Sequence, residues 1–415
     1  MLTFIDWLQK RVRNNLTTAA MNLLYTLTAY PPSIGGAQLH QHLLAQQLGE
    51  SHAIQVASFW NANRTDWLWG TTMGAHRNSY DYTIDNINVR RLGFHWLEKL
   101  KMSCLLPFYY PCMSVALPLL SRSIISHLRE LAQSVDLIHN VRIGREGLTY
   151  ASWQLARQRH IPFLLTPVHH PRWVGWRYCE YIKLYRQADA VIALTVAEKG
   201  ILSGLGVSPD RIHVTGHGPV LAAEANPDRF RQKYQLQNPI VLFLGQHYPY
   251  KGYVQLLTAA TSVWCDHPDT EFVFIGPSVK QSENIFQTCA DPRIHRLGKV
   301  SLQEKTDALA ACTLLCVPSI QESFGGVYTE AWSFKKPVIG CPIPAVSELI
   351  TDEVDGCLVT QQADAIADRI NYLLSNSGVA AKLGLAGHRK VQANYTWSRL
   401  AEKTAQIYQS VCKNG

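Results

Sequence analysis

The chain has 415 residues, 47% hydrophobic and 17% charged, which is too long for one ordinary core and suits two domains of roughly 200 residues each. A net charge of +8 draws acidic ligands such as nucleotide diphosphates and anionic lipid surfaces. The lack of any Lys/Arg block or nucleic-acid module argues against nucleic acid as a partner. Ten cysteines without C-x-x-C spacing, several inside apolar runs such as Cys312 and Cys316, read as reduced core residues of a cytoplasmic protein. The first twenty residues hold no compact apolar stretch with a small-residue cleavage site, so no secretory signal is expected.

In chain order, Phe4, Leu8, Val12 and Leu16 share a helical face while Lys10, Arg11 and Arg13 lie elsewhere. This helix either packs on its own domain or lies on a membrane. A buried strand over 23–29 leads through a loop ending in Gly35-Gly36 into a helix marked by Leu39, Leu43, Leu44 and Leu48. The glycine pair omits side chains that would hold a diphosphate away from backbone N–H groups, although the G-x-G-x-x-G dinucleotide fingerprint is absent. Strands follow at 53–59 and 136–140. Between them, residues 102–121 carry no charge, and Pro107, Pro111 and Pro118 argue against one continuous helix. That segment reads either as buried helices or as a membrane-facing groove.

A strand over 161–167 delivers His169, His170 and Arg172 to its carboxyl edge, where a His can hydrogen-bond a sugar hydroxyl or take a proton near neutral pH. Strand–helix–strand alternation continues through 188–216, and residues 219–228 lack apolar periodicity, which places a domain boundary there. The next strand, 240–245, runs into a loop carrying Gln246 and Lys251-Gly252, with Lys251 suited to hold a leaving diphosphate as a point charge. Strands at 271–276 and 293–300 come next. The apolar run 314–317, stopped by Pro318-Ser319, reads as a parallel strand ending where open α/β sheets bind ligands. Glu322 then lies in a loop, and Gly325-Gly326 opens a helix over about 327–334 that attracts an anion at its amino end and carries Glu330. Two such carboxylates can accept hydrogen bonds from sugar hydroxyls. The plain alternative is a capping Glu322 and a solvated Glu330. A strand within 349–359, helices over 363–394 and a final helix complete the chain.

The order strand, Pro-Ser, Glu322, Phe324-Gly325-Gly326, helix with Glu330, then Lys-Pro-Val-Ile-Gly340 and Glu348 resembles the E-x7-E donor-site signature of glycosyltransferase family 4, the retaining GT-B glycosyltransferases of group 1. Pro-x-x-Gly-Gly near the start and Thr-Pro-x-x-His-Pro-x-Trp around His170 resemble other parts of the same family. The resemblance implies an α/β GT-B fold of two Rossmann-like domains facing across a cleft. Residues 1–219 would form the acceptor domain, 220–394 the nucleotide-sugar donor domain, and 395–415 a helix crossing back to the first.

The function it implies is retaining, metal-independent transfer of a sugar from a nucleotide-diphosphate-sugar donor to a hydroxyl acceptor, a glycan, a lipid-linked glycan or a small molecule, with polysaccharide biosynthesis as the expected setting. Glu322 would take the sugar hydroxyls, Glu330 the ribose and Lys251 the diphosphate. His170, ahead of His169, would be the active-site histidine, with Arg172 as a secondary candidate. Gly35, Gly36, Phe324, Gly325 and Gly326 would line the donor, and the backbone near Val300 would frame the base. The family motif Gly-Arg-x4-Lys-Gly is kept at Gly245, Lys251 and Gly252, but Gln246 replaces the usual Arg and removes one positive charge from the diphosphate site. No cofactor and no metal are expected, because no Asp-x-Asp pair stands at a strand end. The expected location is cytoplasmic, with peripheral association at the inner membrane face left open. The rival readings are a same-fold epimerase or phosphorylase, and a catalytically silent partner subunit that binds nucleotide-sugar.

Overall fold

The structure, a computed structural model, describes residues 20–33, 36–59, 67–141, 147–169, 173, 175–289 and 291–414. The expected amphipathic helix over the first twenty residues, together with Gly35, His170 and Arg172, lies outside these, save for Ala20.

The first sheet contains β1 (Asn22–Leu27), β2 (Ala53–Ser58), β3 (Tyr80–Ile84), β4 (Ile87–Arg91), β5 (Leu137–Val141), β6 (Phe163–Thr166), β7 (Ala190–Ala193) and β8 (Ile212–Val214), in the order β3-β4-β2-β1-β5-β6-β7-β8. Every pairing is parallel except β3 with β4. Strands covered on both faces must be apolar throughout, and β5, β6 and β7 are buried at every position. The chain fills the sheet outward from β1 and then returns to lay β5 on its other side, so the strand order reverses between β1 and β5. Sequence periodicity missed the β3–β4 hairpin, an edge ribbon with polar outward positions. Its signal was the turn pair Asp85-Asn86, both with positive φ (47° and 64°), the backbone a two-residue hairpin loop requires.

Residues 102–121 form the end of the helix Trp96–Leu105, a single 3-10 turn at Leu106–Phe108, and the start of the helix Met113–Leu131. The break falls at Pro107 to Pro111, as their missing N–H groups require, whereas Pro118 is accommodated inside the second helix. Met113, Ala116, Leu117 and Leu120 are buried in the core of this unit, but Phe108 and Val115 are exposed. The buried-helix reading therefore holds for one face of the segment only.

The second sheet contains β9 (Ile240–Leu244), β10 (Glu271–Ile275), β11 (Ile294–Gly298), β12 (Leu314–Cys316), β13 (Val338–Gly340) and β14 (Cys357–Leu358), in the order β11-β10-β9-β12-β13-β14, all parallel. Of the strand expected within 349–359, only the two residues of β14 pair in the sheet. The first residue of that stretch, Leu349, ends the helix Pro344–Leu349, started by proline at its first position, and Asp352 forms an isolated bridge with Gly356. The core of this unit is built on Phe243, Phe274, Tyr253, Trp332 and Tyr328, all fully buried. Of the ten cysteines, Cys312, Cys316, Cys341 and Cys357 sit in this unit's interior, while Cys104, Cys112, Cys179, Cys265 and Cys412 are exposed. The core-cysteine reading is thus correct for the second sheet and wrong for the exposed positions.

The chain divides into two compact units: one spans residues up to Ala193, Ile201–Thr215 and Ala401–Gly415, the other Leu194–Gly200 and Gly216–Leu400. The short piece Leu194–Gly200 goes with the second unit, where the N–H groups of Val196 (2.7 Å) and Ala197 (3.2 Å) donate to Glu348 Oε2. The last helix, Trp397–Asn414, begins in the second unit and ends in the first. In the first unit it places Tyr408 in a fully buried relay. Its hydroxyl lies 2.8 Å from the Tyr25 hydroxyl on β1 and 2.7 Å from His139 Nδ1 on β5, and His139 Nε2 lies 2.8 Å from Thr166 Oγ1 on β6.

Candidate functional site

In the second unit the strand order reverses between β9 and β12, and a crevice at such a reversal, beyond the carboxyl ends of the strands, is where open α/β sheets bind ligands. The loops leaving these two strands carry Lys251 and Glu322. Their side chains meet as an ion pair, Nζ to Oε1 at 2.6 Å, with both heads more than three-quarters buried.

Backbone contacts force the two loops together. Gly252 has φ +81°, and a Cβ there would stand 2.4 Å from the carbonyl oxygen of Pro318, so no other residue fits against the β12 loop. The N–H of Ile320 donates to Tyr250 O at 2.9 Å. The Gln361 amide donates to both Tyr250 O (3.1 Å) and Pro318 O (2.7 Å), stitching the loops from below. Gln361 was not among the residues singled out from sequence, because nothing in its neighbourhood marks it before the loops are adjacent.

Beyond Glu322, Gly325 adopts φ +89°, and a Cβ there would meet the Tyr328 ring at 2.7 Å. This left-handed step starts the helix Gly326–Ser333, one residue earlier than expected. The first N–H groups of that helix have no intrahelical acceptors and carry its positive end. Phe324 turns inward, buried between His217 (ring centroids 5.8 Å) and Tyr395 (5.5 Å), so its ring props the loop from within.

Glu330 is buried rather than a solvated surface acid. Its Oε1 accepts from Lys305 Nζ at 2.7 Å and from the N–H of Val220 at 3.3 Å, and Lys305 also donates to Val220 O at 2.6 Å. Oε2 is buried with no protein partner, which leaves one carboxylate oxygen able to accept from a hydroxyl. Burial pushes the Glu330 carboxyl above its ordinary value, with the Lys305 charge opposing. Lys305, on the helix Leu302–Ala311, was missed from sequence, where it is one lysine among solvated neighbours.

The remaining donor-set residues are less enclosed. Gln246 is exposed at the carboxyl end of β9, and Val300, just beyond β11, is half-buried against the core. Next to Gln246, His247 has no exposure at all, its ring packed on Phe286 (5.1 Å) and Tyr253 (5.5 Å). Burial lowers its pKa to about 4 and holds it neutral. It anchors the loop that presents Lys251.

In the first unit, β1 is followed by Thr28-Ala29-Tyr30, where Tyr30 OH pairs with His42 Nδ1 at 2.9 Å and His42 Nε2 with Asp85 at 2.9 Å. Gly36 is the first residue of the helix Gly36–Leu48, and a Cβ on it would meet nothing within 4 Å. At the end of β6, Val168 is held at φ +46°, a strained conformation for a β-branched residue. It precedes His169, which is buried with its ring edge-on to Tyr185 (5.9 Å) and Trp173 (6.3 Å).

Two doubly wound Rossmann-like units with charged loops at a strand reversal are the GT-B architecture. The family described as Glycosyl transferases group 1 matches residues 225–390, and the Glycosyl transferase 4-like domain matches residues 35–218. The chain belongs to the group 1 glycosyltransferases, a family of transferases. Among curated relatives, the alpha-maltose-1-phosphate synthase of Mycobacterium tuberculosis is 24% identical over 247 residues, covering 54% of this chain and 64% of the relative. The match thus spans just under two thirds of that relative's length. Among solved structures, Anabaena HepE in complex with UDP-glucose superposes with a TM-score of 0.71 at 17% identity, covering 94% of this chain and 100% of that one. Sucrose-phosphate synthase from Thermosynechococcus elongatus gives 0.71 at 21% identity, with 95% and 100% covered. These two likenesses describe the fold.

Proposed function

We propose that the protein is a retaining glycosyltransferase that moves a sugar from a nucleotide-diphosphate-sugar to a hydroxyl acceptor, and that it does so without a metal. The observation that carries this reading is the buried Lys251–Glu322 pair at the β9/β12 reversal, a cation for phosphates beside a carboxylate for hydroxyls. When a donor binds, Lys251 leaves Glu322 and donates to the diphosphate, and Glu322 accepts from the sugar hydroxyls. Glu330, held by Lys305, offers its unpaired Oε2 to a ribose hydroxyl. The helix start at Gly326 and the exposed amide of Gln246 add donors toward the phosphates. His170, with His169 and Arg172 as secondary candidates, and Gly35-Gly36 remain candidate residues in this reading.

In the reaction the bond from the sugar anomeric carbon to the diphosphate breaks, leaving an oxocarbenium-like sugar. The acceptor oxygen forms its bond on the same face, and its proton passes to a phosphate oxygen of the leaving group. Lys251 and the helix amides stabilise the charge that develops there. Neither Glu322 nor Glu330 forms a covalent bond in this scheme. The acceptor side of the reading includes peripheral contact with a membrane face in the cytoplasm, where a lipid-linked acceptor would be presented.

The test is incubation with UDP-, GDP- and ADP-sugars, ranked first by protection against thermal unfolding, followed by turnover with and without EDTA. Transfer or slow donor hydrolysis that survives EDTA and vanishes in Glu322→Ala supports the reading. Conversion of the free donor sugar into its epimer would make the protein an epimerase. Donor protection without turnover under any condition would make it a silent binding subunit.

A further inference from the structure

Soluble proteins turn the apolar side of a surface helix inward, and the helix Trp96–Leu105 does the reverse. At 3.6 residues per turn, Trp96, Leu97, Leu100 and Cys104 fall within an arc of about 100°. Trp96 and Leu100 leave more than half of their surface in water and Leu97 nearly half, while Met102 is the one residue of the helix that is buried. The exposed apolar surface continues through Phe108 and Val115, each more than half exposed. Trp176, equally exposed, joins it beside Tyr110, with ring centroids 6.4 Å apart. A contiguous apolar surface of this kind marks an interaction site.

The charges around it select the partner. No Asp or Glu occurs from residue 99 to residue 129. Glu98 is engaged, accepting from the N–H of His95 at 2.9 Å and paired with His127 at 3.0 Å. The exposed charged side chains next to the apolar arc are Lys101 and Arg177, and Arg177 lies 5.3 Å from the Trp176 ring and 5.4 Å from that of Tyr110. Tryptophan, leucine and phenylalanine in the outward arc, cations beside them, and nearby acids held in pairs, Glu98 with His127 and Glu180 with Lys183, make up the chemistry of a helix that lies in the surface of an anionic bilayer. Among the described residues no helix is long and apolar enough to cross a membrane.

We infer that this face, from Trp96 to Val115 with Trp176 and Arg177, docks the first unit onto an anionic lipid surface. This deepens the membrane contact included in the functional reading by naming the surface, and vesicle binding needs no turnover, so the two can fail separately. The test is flotation of the full chain with vesicles of phosphatidylcholine containing about a third phosphatidylglycerol, and with phosphatidylcholine alone. The expected result is binding to the anionic vesicles that weakens with salt. Changing Trp96, Leu100 and Phe108 together to Ser should reduce it by about tenfold or more, and Lys101→Glu with Arg177→Glu should reduce it further at low salt. The Ser variant should stay folded with a melting temperature lowered by only a few degrees, because more than half of each removed side chain is in water. No binding to either vesicle overturns the inference, as does binding that the Ser variant leaves intact. A concentration-dependent dimer abolished by the Ser changes, without vesicle binding, would reassign the face to a second copy of the chain.

Discussion

Lys251 Nζ stands 2.6 Å from Glu322 Oε1, so the cation proposed to hold phosphate is paired with the carboxylate proposed to hold the sugar. The two residues answer differently to removal of their charge. Glu322→Gln frees Lys251, and nucleoside diphosphate binding should be kept or strengthened while transfer falls about a hundredfold or more. Lys251→Met should weaken nucleoside diphosphate binding and transfer together. Calorimetric titration of each variant with UDP, GDP and ADP, beside its transfer rate, separates the roles. Equal weakening of diphosphate binding in both would show that the pair acts only as a structural bridge.

Lys305 opposes the effect of burial on Glu330, so Lys305→Met removes the opposing charge and moves the Glu330 carboxyl further above the ordinary carboxylate range. The protonated fraction at a given pH then grows. The acid limb of the profile of kcat/KM for the donor should shift to higher pH, while the rate at alkaline pH changes less. A profile that keeps its position and only drops in height would assign Lys305 a packing role.

At Gly252, φ +81° and a Pro318 oxygen 2.4 Å from any Cβ make Gly252→Ala doubly unfavourable. The left-handed backbone alone costs about 1–2 kcal/mol, and relieving the collision parts the two loops. Gly378, by contrast, lies in the helix Ser377–Asn394, and a Cβ there meets nothing within 4 Å, so Gly378→Ala should stabilise by about 0.5–1 kcal/mol. Thermal melts should move in opposite directions for the two, with transfer lost only in Gly252→Ala.

His139, in the Tyr25–Tyr408–Thr166 relay, has its pKa lowered from 6.5 to about 3 by burial. The unfolded chain therefore takes up this proton first as the pH falls. The contribution of the neutral imidazole is complete above about pH 6.5 and is lost progressively toward pH 3, up to a limit on the order of 5 kcal/mol. Relative to His139→Gln, the wild type should lose stability in urea unfolding between pH 7 and pH 5. Parallel curves for the two proteins would mean that the site tolerates the charge.

Much of this was legible in the residues because its causes are local. Apolar runs such as 240–244 and 314–316 must be buried parallel strands, since nothing else hides both faces, and Pro318-Ser319 or Gly325-Gly326 must end or start elements through their own backbone restrictions. Glu322, Glu330 and Lys251 could be picked out by their place after such strands. The Asp85-Asn86 hairpin escaped because its strands are polar on their outer face, and β14 because two residues leave no period to read.

The sequence by itself settled which long apolar runs are buried strands, which loops leave their carboxyl ends and which side chains those loops carry, because each follows from a few neighbouring residues. Only the tertiary structure decided that β9 lies beside β12, and hence that Lys251 meets Glu322, that Gln361 joins their loops and that Lys305 grips Glu330. It alone also turned the Trp96–Leu105 arc toward water. These are contacts between groups tens of residues apart, or choices of face, and both are fixed when helices and strands pack and compete for the same interior.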